Sequence, residues 1–153
     1  MSQLSEAVHA DVPIVGHNVV FDLTILDREC RRNLGGGLYE QLGAEPYVID
    51  TMVLDRLTAP FRRRISEEQG PYQLRTTAEV YGLGWDEQAA HGATYDALMA
   101  GRIAWHQGHI ANQQVRDRPQ WVRNLRPGRF DRLRGLDLPE LHARQITWAR
   151  LDA

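Results

Sequence analysis

The spacing of apolar residues divides the first third of the chain into a helix, a strand and a second helix. Leu4 and Val8, four positions apart, predict a short helix within "SQLSEAVHA". The run "VPIVG" that follows predicts a short buried strand that ends at its glycine. From Asn18 to about Leu34 the apolar residues recur at helical intervals until "GGG" stops the pattern. The apolar residues that give this period are Phe21, Ile25, Leu26 and Cys30.

A second strand is predicted in "PYVID" at residues 46–50. The intervening chain is long enough for a right-handed crossover, so the two strands are expected to be parallel neighbours. Further helices are predicted from Thr51 in "TMVLDRL", in "LRTTAEVYGL", and from about Tyr95 to Gln113. Residues 59–72 are polar and contain two prolines, which predicts a loop. The pattern favours an α/β fold that is rich in helices.

The composition is that of a soluble globular domain. The chain has 153 residues, of which 25% are charged and 42% hydrophobic, and this suits one compact domain. No run approaches the roughly 20 apolar residues of a membrane span, and the N-terminus lacks the pattern of a secretory signal. The single cysteine, Cys30, is expected to be a structural thiol. We therefore expect a cytoplasmic protein without a membrane partner.

Arginine supplies all 18 basic residues, and its distribution is uneven. Arginines cluster in "FRRRIS", at residues 62–64, and recur between Arg116 and Arg134 with few acids between them. One interpretation is contact with a phosphate backbone. The other, which we favour, is a solvated and partly unstructured tail. Residues 115–153 are accordingly predicted to be an arginine-rich extension that ends in a helix, "PELHARQITWARL".

Two short stretches carry polar side chains suited to chemistry. In "HNVVFD", Asn18 stands where a helix N-cap is expected, and Asp22 lies one turn past the end of the first strand. In "HGATYDALMA", four residues separate His91 from Asp96, which is expected in the first turn of the long helix. A carboxylate so placed can bind a metal while a nearby imidazole takes a proton from water. Taken singly, each stretch is equally typical of an ordinary helix start.

Together the two stretches resemble the DnaQ-like (DEDDh) 3'–5' exonucleases, typified by the DNA polymerase III epsilon subunit. Asn18, Phe21 and Asp22 match the second motif of that family, and His91 and Asp96 match the third. The resemblance covers roughly residues 2–106. It implies a ribonuclease-H-like exonuclease fold, with residues 1–114 as a partial exonuclease domain.

The resemblance also implies an activity and assigns roles. The chain would hydrolyse phosphodiesters at the 3' ends of single-stranded DNA or RNA by a two-metal mechanism, with DNA polymerase or repair machinery as a partner. His91 would be the general base, and Asp22 and Asp96 would bind Mg²⁺ or Mn²⁺. Asn18 and Phe21 would support the site.

The first motif of the family, an Asp-x-Glu on the opening strand of the sheet, has no match here. We therefore expect an N-terminally truncated fold that keeps the last two parallel strands, two of the four metal-binding carboxylates, and little activity. Asp50 matches a structural "Asp-Thr" of the family and is interpreted as a helix-entry residue. Two alternatives stay open. The chain would be an inactive remnant that binds nucleic acid or a protein, or an unrelated α/β protein.

Overall fold

The computed structural model describes residues 2–125 and 128–135. These residues form two compact units, one of residues 2–50 and one of the described residues from 51 to 135. Among them, every helix is too short or too polar to cross a membrane.

The first unit contains three helices and a two-stranded parallel sheet. In chain order the elements are α1 (Ser2–His9), β1 (Ile14–Gly16), α2 (Val19–Leu34), α3 (Leu38–Leu42) and β2 (Val48–Asp50). In the sheet, Ile14 pairs with Val48 and Gly16 pairs with Asp50, so both strands end at the same edge. The predicted helix, strand, helix and parallel strand are confirmed, and α3 is an additional short helix that was not predicted.

Helix α2 ends where the glycine run predicts its end. Gly35 has φ 76°, in the left-handed region that favours glycine and terminates many helices. Asp27 then ties α2 to α3, because its Oδ1 accepts a hydrogen bond from the backbone N–H of Leu38 at 2.8 Å. Arg31 donates to the other oxygen of Asp27 at 2.9 Å. The turn between the two helices is therefore anchored on both sides.

The core of the first unit uses one of two apolar faces of α2. Of the apolar residues whose spacing predicted this helix, Phe21 is 63% exposed, Ile25 44% and Leu26 39%. Only Cys30 of this set is buried. A second apolar stripe begins at Val19 and has the same period, and periodicity alone does not say which of two stripes is covered. The buried cluster consists of Val8, Val19, Leu23, Cys30, Leu38, Leu42 and Val48.

The described residues of the second unit are helical. Its elements are α4 (Thr51–Thr58), α5 (Leu74–Val80), α6 (Ala93–Asn112) and α7 (Gln120–Arg123), with 3-10 turns at Val115–Asp117 and Asp131–Gly135. The three helices predicted for this part of the chain are confirmed, as is the loop over residues 59–72. Helices α4 and α5 and the second 3-10 turn pack against α6, which is the longest element.

The core of the second unit forms along α6. The buried cluster consists of Ala78, Tyr81, Met99, Ile103, Ile110, Val122 and Phe130. Gln107 of α6 donates a hydrogen bond to the backbone carbonyl of Thr51 at 2.9 Å and so ties the start of α4 to α6. Burial raises the pKa of the Tyr81 hydroxyl, and the negative charge of Asp55 raises it further. Tyr81 is therefore a neutral core residue at physiological pH.

The described residues after α6 are packed, which corrects their interpretation as a solvated and partly unstructured tail. Phe130 is 1% exposed, and the guanidinium of Arg118 is buried. The boundary predicted between residues 114 and 115 falls inside the second compact unit. The predicted terminal helix, residues 139–151, lies outside the described residues.

Arg118 owes its burial to groups at the end of α6. It donates hydrogen bonds to the backbone carbonyls of Ala111 and Gln113, each at 3.3 Å, and to the carboxylate of Asp131 at 2.6 Å. Carbonyls at a helix C-terminus lack partners within the helix, and the helix dipole favours a cation there. The guanidinium of Arg118 also lowers the pKa of Asp131. Arg118 is therefore a structural residue.

Arg62 likewise belongs to a buried ion pair rather than to an exposed cluster. Its guanidinium donates to both oxygens of Asp55, which is fully buried on α4, with the longer of the two bonds at 2.7 Å. A third bond, to the backbone carbonyl of Pro71 at 3.1 Å, closes the loop over residues 59–72. The two arginines that follow Arg62 in "FRRRIS" are exposed. The interpretation of this cluster as a phosphate contact therefore applies only to Arg63 and Arg64.

Candidate active site

The start of α2 is held by Asp50, at the end of the neighbouring strand. Its carboxylate accepts hydrogen bonds from the backbone N–H groups of Asn18 and Val19, each at 3.0 Å. The parallel register explains this contact, because Asp50 lies opposite Gly16 and its side chain reaches the first amides beyond β1. Carboxylates are favoured at the positive end of a helix. Asp50 is a structural residue, as predicted, and these two bonds show that it stabilises the start of α2.

Gly16 and Asn18 shape the turn between β1 and α2. A Cβ atom on Gly16 would lie 2.7 Å from the side chain of Val19, so the close approach requires glycine. Asn18 has φ 62° and ψ 38°, a left-handed conformation that asparagine adopts more readily than most residues. Asn18 is the N-cap residue of α2, as predicted, although its side chain makes no capping hydrogen bond. Capping side chains reach the helix from an extended backbone, which Asn18 does not have.

Phe21 and Asp22 lie in the first turn of α2 with exposed side chains. The position of Asp22 agrees with the prediction. Among the described residues, its carboxylate forms no hydrogen bond or ion pair. The phenyl ring of Phe21 does not enter the core of the first unit. The start of α2 thus offers an acid and an aromatic ring to solvent.

The second candidate stretch begins in an ordered loop before α6. Asp86 organises this loop, because its Oδ1 accepts hydrogen bonds from the backbone N–H groups of Gln88 at 2.9 Å and Ala89 at 3.3 Å. The backbone N–H of Asp86 donates to the hydroxyl of Tyr95 at 2.8 Å. The ring of Tyr95 lies edge-on to that of Trp85, with 5.4 Å between centroids. The loop is therefore anchored to the first turn of α6.

His91 occupies the end of this loop in a strained conformation. Its φ of 68° lies in the left-handed region, and its side chain is exposed. For a residue with a Cβ atom, this conformation raises the free energy of the folded state by roughly 1–3 kcal/mol. Strain of this kind is concentrated at functional sites. Gly92 follows as the N-cap of α6 and accepts a hydrogen bond from the N–H of Asp96 at 3.0 Å. The backbone thus holds the imidazole just outside the helix start.

Asp96, in the first turn of α6, has an unsatisfied carboxylate oxygen. Its Oδ1 is buried and has no hydrogen-bond partner among the described residues. A buried polar atom without a partner costs roughly 1–3 kcal/mol, and more when it is charged. Carboxylate oxygens are the protein ligands that Mg²⁺ and Mn²⁺ prefer. The carboxylate of Asp96 therefore fits the role of a cation ligand.

The structure groups the predicted site residues in two sets. His91 and Asp96 lie at the start of α6 in the second unit, and Asn18, Phe21 and Asp22 lie at the start of α2 in the first. Within either unit, the described residues include no group of three His, Cys, Asp or Glu side chains placed to hold a metal ion. The convergence of the two sets on one site stays a prediction.

Two acids of the chain form its single Asp-x-Glu triplet, but they do not have the setting of a metal site. Asp27 and Glu29 lie within α2 rather than on a strand. Asp27 binds the backbone of Leu38, and Glu29 accepts a hydrogen bond from Arg32. Both carboxylates therefore have local structural partners.

Sequence reasoning missed the contact that positions the candidate acid of α2. Asp50 was interpreted only in relation to the helix that follows it in the chain. The available signal was its place at the carboxyl end of a strand predicted to pair in parallel with β1, because such ends lie side by side.

Comparison with known protein families gives one match, whose range includes both candidate stretches. Residues 1–104 match the family model RNase_T, described as an exonuclease, and this range contains the starts of both α2 and α6. No curated protein and no solved structure gives a significant match. Because the family match spans more than half of the 153 residues, the chain belongs to the RNase_T exonuclease family.

Proposed function

We propose that this chain is a 3'–5' exonuclease domain of the DNA polymerase III epsilon-subunit type, with a ribonuclease-H-like fold. Its substrates would be the 3' ends of single-stranded DNA or RNA, and DNA polymerase or repair machinery would be its partner. Membership of the exonuclease family supports nuclease chemistry. The observation that carries the proposal is the unsatisfied carboxylate oxygen of Asp96, one turn into a helix that begins beside His91.

Asp96 and Asp22 are the proposed metal ligands. The buried Oδ1 of Asp96 lacks a protein partner, and the exposed carboxylate of Asp22 forms no ion pair among the described residues. When bound, Mg²⁺ or Mn²⁺ would supply Lewis-acid stabilisation of the phosphodiester and would make water more acidic. The two carboxylates would hold these cations through oxygen atoms that the fold leaves available.

His91 is the proposed general base. Histidine exchanges protons near neutral pH, and the exposed imidazole of His91 can accept a proton from an attacking water. The anchored loop before α6 limits how far the imidazole can move from Asp96. Asn18 and Phe21 are proposed as supporting residues. Asn18 forms the turn that places Asp22, and the exposed ring of Phe21 is available to contact nucleic acid.

Metal binding is the first test, because it does not require turnover. Mn²⁺ is titrated into the chain and followed by electron paramagnetic resonance. We expect Asp96→Asn to weaken binding by at least tenfold, since an amide oxygen carries no charge. Asp117→Asn is the matched control, because Asp117 is an exposed acid of the same unit, outside the site. Equal Mn²⁺ affinity in wild type and Asp96→Asn contradicts the assignment of Asp96.

Hydrolysis is the second test. Release of mononucleotides from 3'-labelled single-stranded DNA is measured with Mg²⁺ or Mn²⁺, for the 153-residue chain and for the longest in-frame product of its gene. We expect His91→Ala to slow turnover by roughly 10²–10⁴-fold, the usual effect of removing a positioned base. His91→Gly should be equally slow although it relieves the left-handed strain, which separates loss of chemistry from loss of fold.

The same assay distinguishes the main alternative, a catalytically inactive module that binds nucleic acid or a protein. Only two of the four carboxylates of the family motif are matched, so we expect slow release from the 153-residue chain. Binding of the DNA without release by either product would favour the inactive module. Release that persists unchanged in Asp96→Asn would show that other acids form the site.

A further inference from the structure

A concave site of about 410 Å³ opens in the second unit, between the loop after α4 and the residues that follow α6. Its volume is in the range of pockets that bind small molecules and single groups of larger ligands, roughly 300–1,000 Å³. Its walls include Phe61 and Arg62 from the loop, and Trp121, Asn124 and Arg129 from the later residues. Those three residues, which follow α6, lie outside the range 1–104 that matches the exonuclease family. We refer to this site as the aromatic pocket.

Two aromatic rings line the aromatic pocket. The ring of Phe61 is unusual in being 82% exposed, so it covers no core. Trp121 is held rigidly, because Tyr81 lies edge-on to it at 5.3 Å and Phe130 at 5.8 Å. Exposed and rigid aromatic faces are the platforms on which proteins stack the bases of single-stranded nucleic acids.

The charge of the aromatic pocket is positive. Arg62 is neutralised by Asp55, whereas Arg129 has no carboxylate partner among the described residues. Arg129 is nevertheless fixed in place, since it donates to the backbone carbonyl of Thr58 at 3.3 Å and lies 5.8 Å from the ring of Phe61. None of the residues that line the pocket is acidic. One localised cation beside two aromatic rings is suited to a phosphate that is linked to a base.

Polar groups near the rings can extend this recognition. Asn124 accepts a hydrogen bond from Gln120 through its Oδ1, which leaves its amide N–H groups to donate to a base edge. Arg63 and Arg64 follow Phe61 in the same loop, and both are exposed. Their guanidinium groups can contact neighbouring phosphates of a strand whose base stacks on Phe61.

We propose that the aromatic pocket binds one base of a single-stranded nucleic acid and that Arg129 binds the adjoining phosphate. This inference rests on the proposed function, in that the substrate is a nucleic acid. It adds a phosphate contact by Arg129, which lies outside the range 1–104 that matches the exonuclease family. It explains why the loop of α4 exposes a phenylalanine next to two arginines. Strand binding at this pocket requires neither His91 nor Asp96.

Binding is measured by fluorescence anisotropy of 5'-fluorescein-labelled (dT)12 in EDTA, so that no hydrolysis takes place. We expect Phe61→Ala to weaken binding about 5- to 100-fold, the usual range for loss of one base–aromatic stack. Arg129→Gln should reduce the slope of log K against log salt by about 0.7, whereas Arg129→Lys should retain the slope. Thermal melts check that each variant folds.

Matched controls come from the same unit. Trp105→Ala removes another exposed ring, and Arg116→Gln another exposed guanidinium, and neither residue lines the aromatic pocket. Both should bind (dT)12 as the wild type does. An oligomer with abasic sugars tests the stacking directly and should bind as weakly to wild type as (dT)12 binds to Phe61→Ala.

The outcomes separate this inference from the proposed function. Equal affinity of wild type and Phe61→Ala, or of abasic and dT oligomers, overturns the inference even where hydrolysis is intact. Absence of (dT)12 binding at low salt also overturns it. Loss of binding in Phe61→Ala, with no hydrolysis by either the 153-residue chain or the longest in-frame product of its gene, supports the inference and contradicts the exonuclease proposal.

Discussion

Replacement of Asp50 tests how the fold positions the candidate acid of α2. Asp50→Ala removes the acceptor of two hydrogen bonds, from the N–H groups of Asn18 and Val19 at 3.0 Å each. Asp50→Asn preserves the shape of the side chain and one acceptor but removes the charge. Both variants leave β2 and the core residues of the first unit in place.

The magnitude follows from burial and charge. Asp50 is 6% exposed and Val19 is 4% exposed, so water replaces the lost acceptor poorly. A hydrogen bond to a charged group contributes about 1.5–3 kcal/mol, and an N-cap about 0.5–2 kcal/mol. The two bonds share one carboxylate and are not additive, so we expect Asp50→Ala to lower the free energy of unfolding by about 3 kcal/mol. Asp50→Asn should lower it by about 1–2 kcal/mol, because one acceptor remains.

Urea unfolding followed by circular dichroism at 222 nm measures the loss of stability, and amide hydrogen exchange measures where it occurs. We expect the N–H of Val19 to be protected in wild type and to exchange much faster in Asp50→Ala. Asp11→Asn is the control, because Asp11 is exposed and has φ 54°, a conformation that asparagine also tolerates. Its unfolding curve should match that of wild type within about 0.5 kcal/mol.

Two results would refute this reasoning. An Asp50→Ala variant as stable as Asp11→Asn would show that the carboxylate adds nothing to the start of α2. Unchanged exchange at Val19 together with lower stability would show that Asp50 stabilises the fold through a contact other than the start of α2. A faster exchange at Val19, by contrast, should be accompanied by weaker Mn²⁺ binding, because Asp22 lies in the same helical turn.

Asp55→Ala should lower the free energy of unfolding by about 3–5 kcal/mol, because it leaves the guanidinium of Arg62 buried without its partner. Urea unfolding measures this loss, and a loss under about 1 kcal/mol would contradict a buried ion pair. Phe130→Ala should cost about 3–5 kcal/mol, since the ring is 1% exposed, and a solvated tail would lose nothing. Arg118 lowers the pKa of Asp131 in the folded state, whereas in the unfolded chain an aspartate has a pKa of about 3.9. The ion pair therefore contributes its full stability above about pH 3.9, and this contribution is lost as the pH falls through the lower folded-state pKa. The difference in melting temperature between wild type and Asp131→Asn should therefore shrink below about pH 4, and a constant difference would show that Asp131 acts without its charge.

The pattern of the sequence was sufficient for features that depend on neighbours in the chain. The order of helices and strands, the glycine end of α2 and the loop over residues 59–72 are each set by local spacing, turn residues or proline. The positions of Asp22 and Asp96 in first helical turns were also predicted, because a helix start has a short and recognisable signature.

The tertiary structure decided which face of α2 is buried and which residue binds its first amide groups. α2 carries two apolar stripes of the same period, and the stripe of Val19 is covered while that of Phe21 faces solvent. The amide of Val19 is bound by Asp50, which is 31 positions away, so no local signature predicts the contact.

The roles of the arginines, too, depend on the tertiary structure. Their number and clustering are sequence facts, but their roles depend on which acids and carbonyls lie within reach. Arg118 is buried because Asp131 and the carbonyls at the end of α6 satisfy its guanidinium, whereas Arg129 has no such acid among the described residues and lines the aromatic pocket. A guanidinium is buried only where the surrounding chain supplies enough acceptors to replace water, and that supply is a property of the folded packing rather than of the sequence around the arginine.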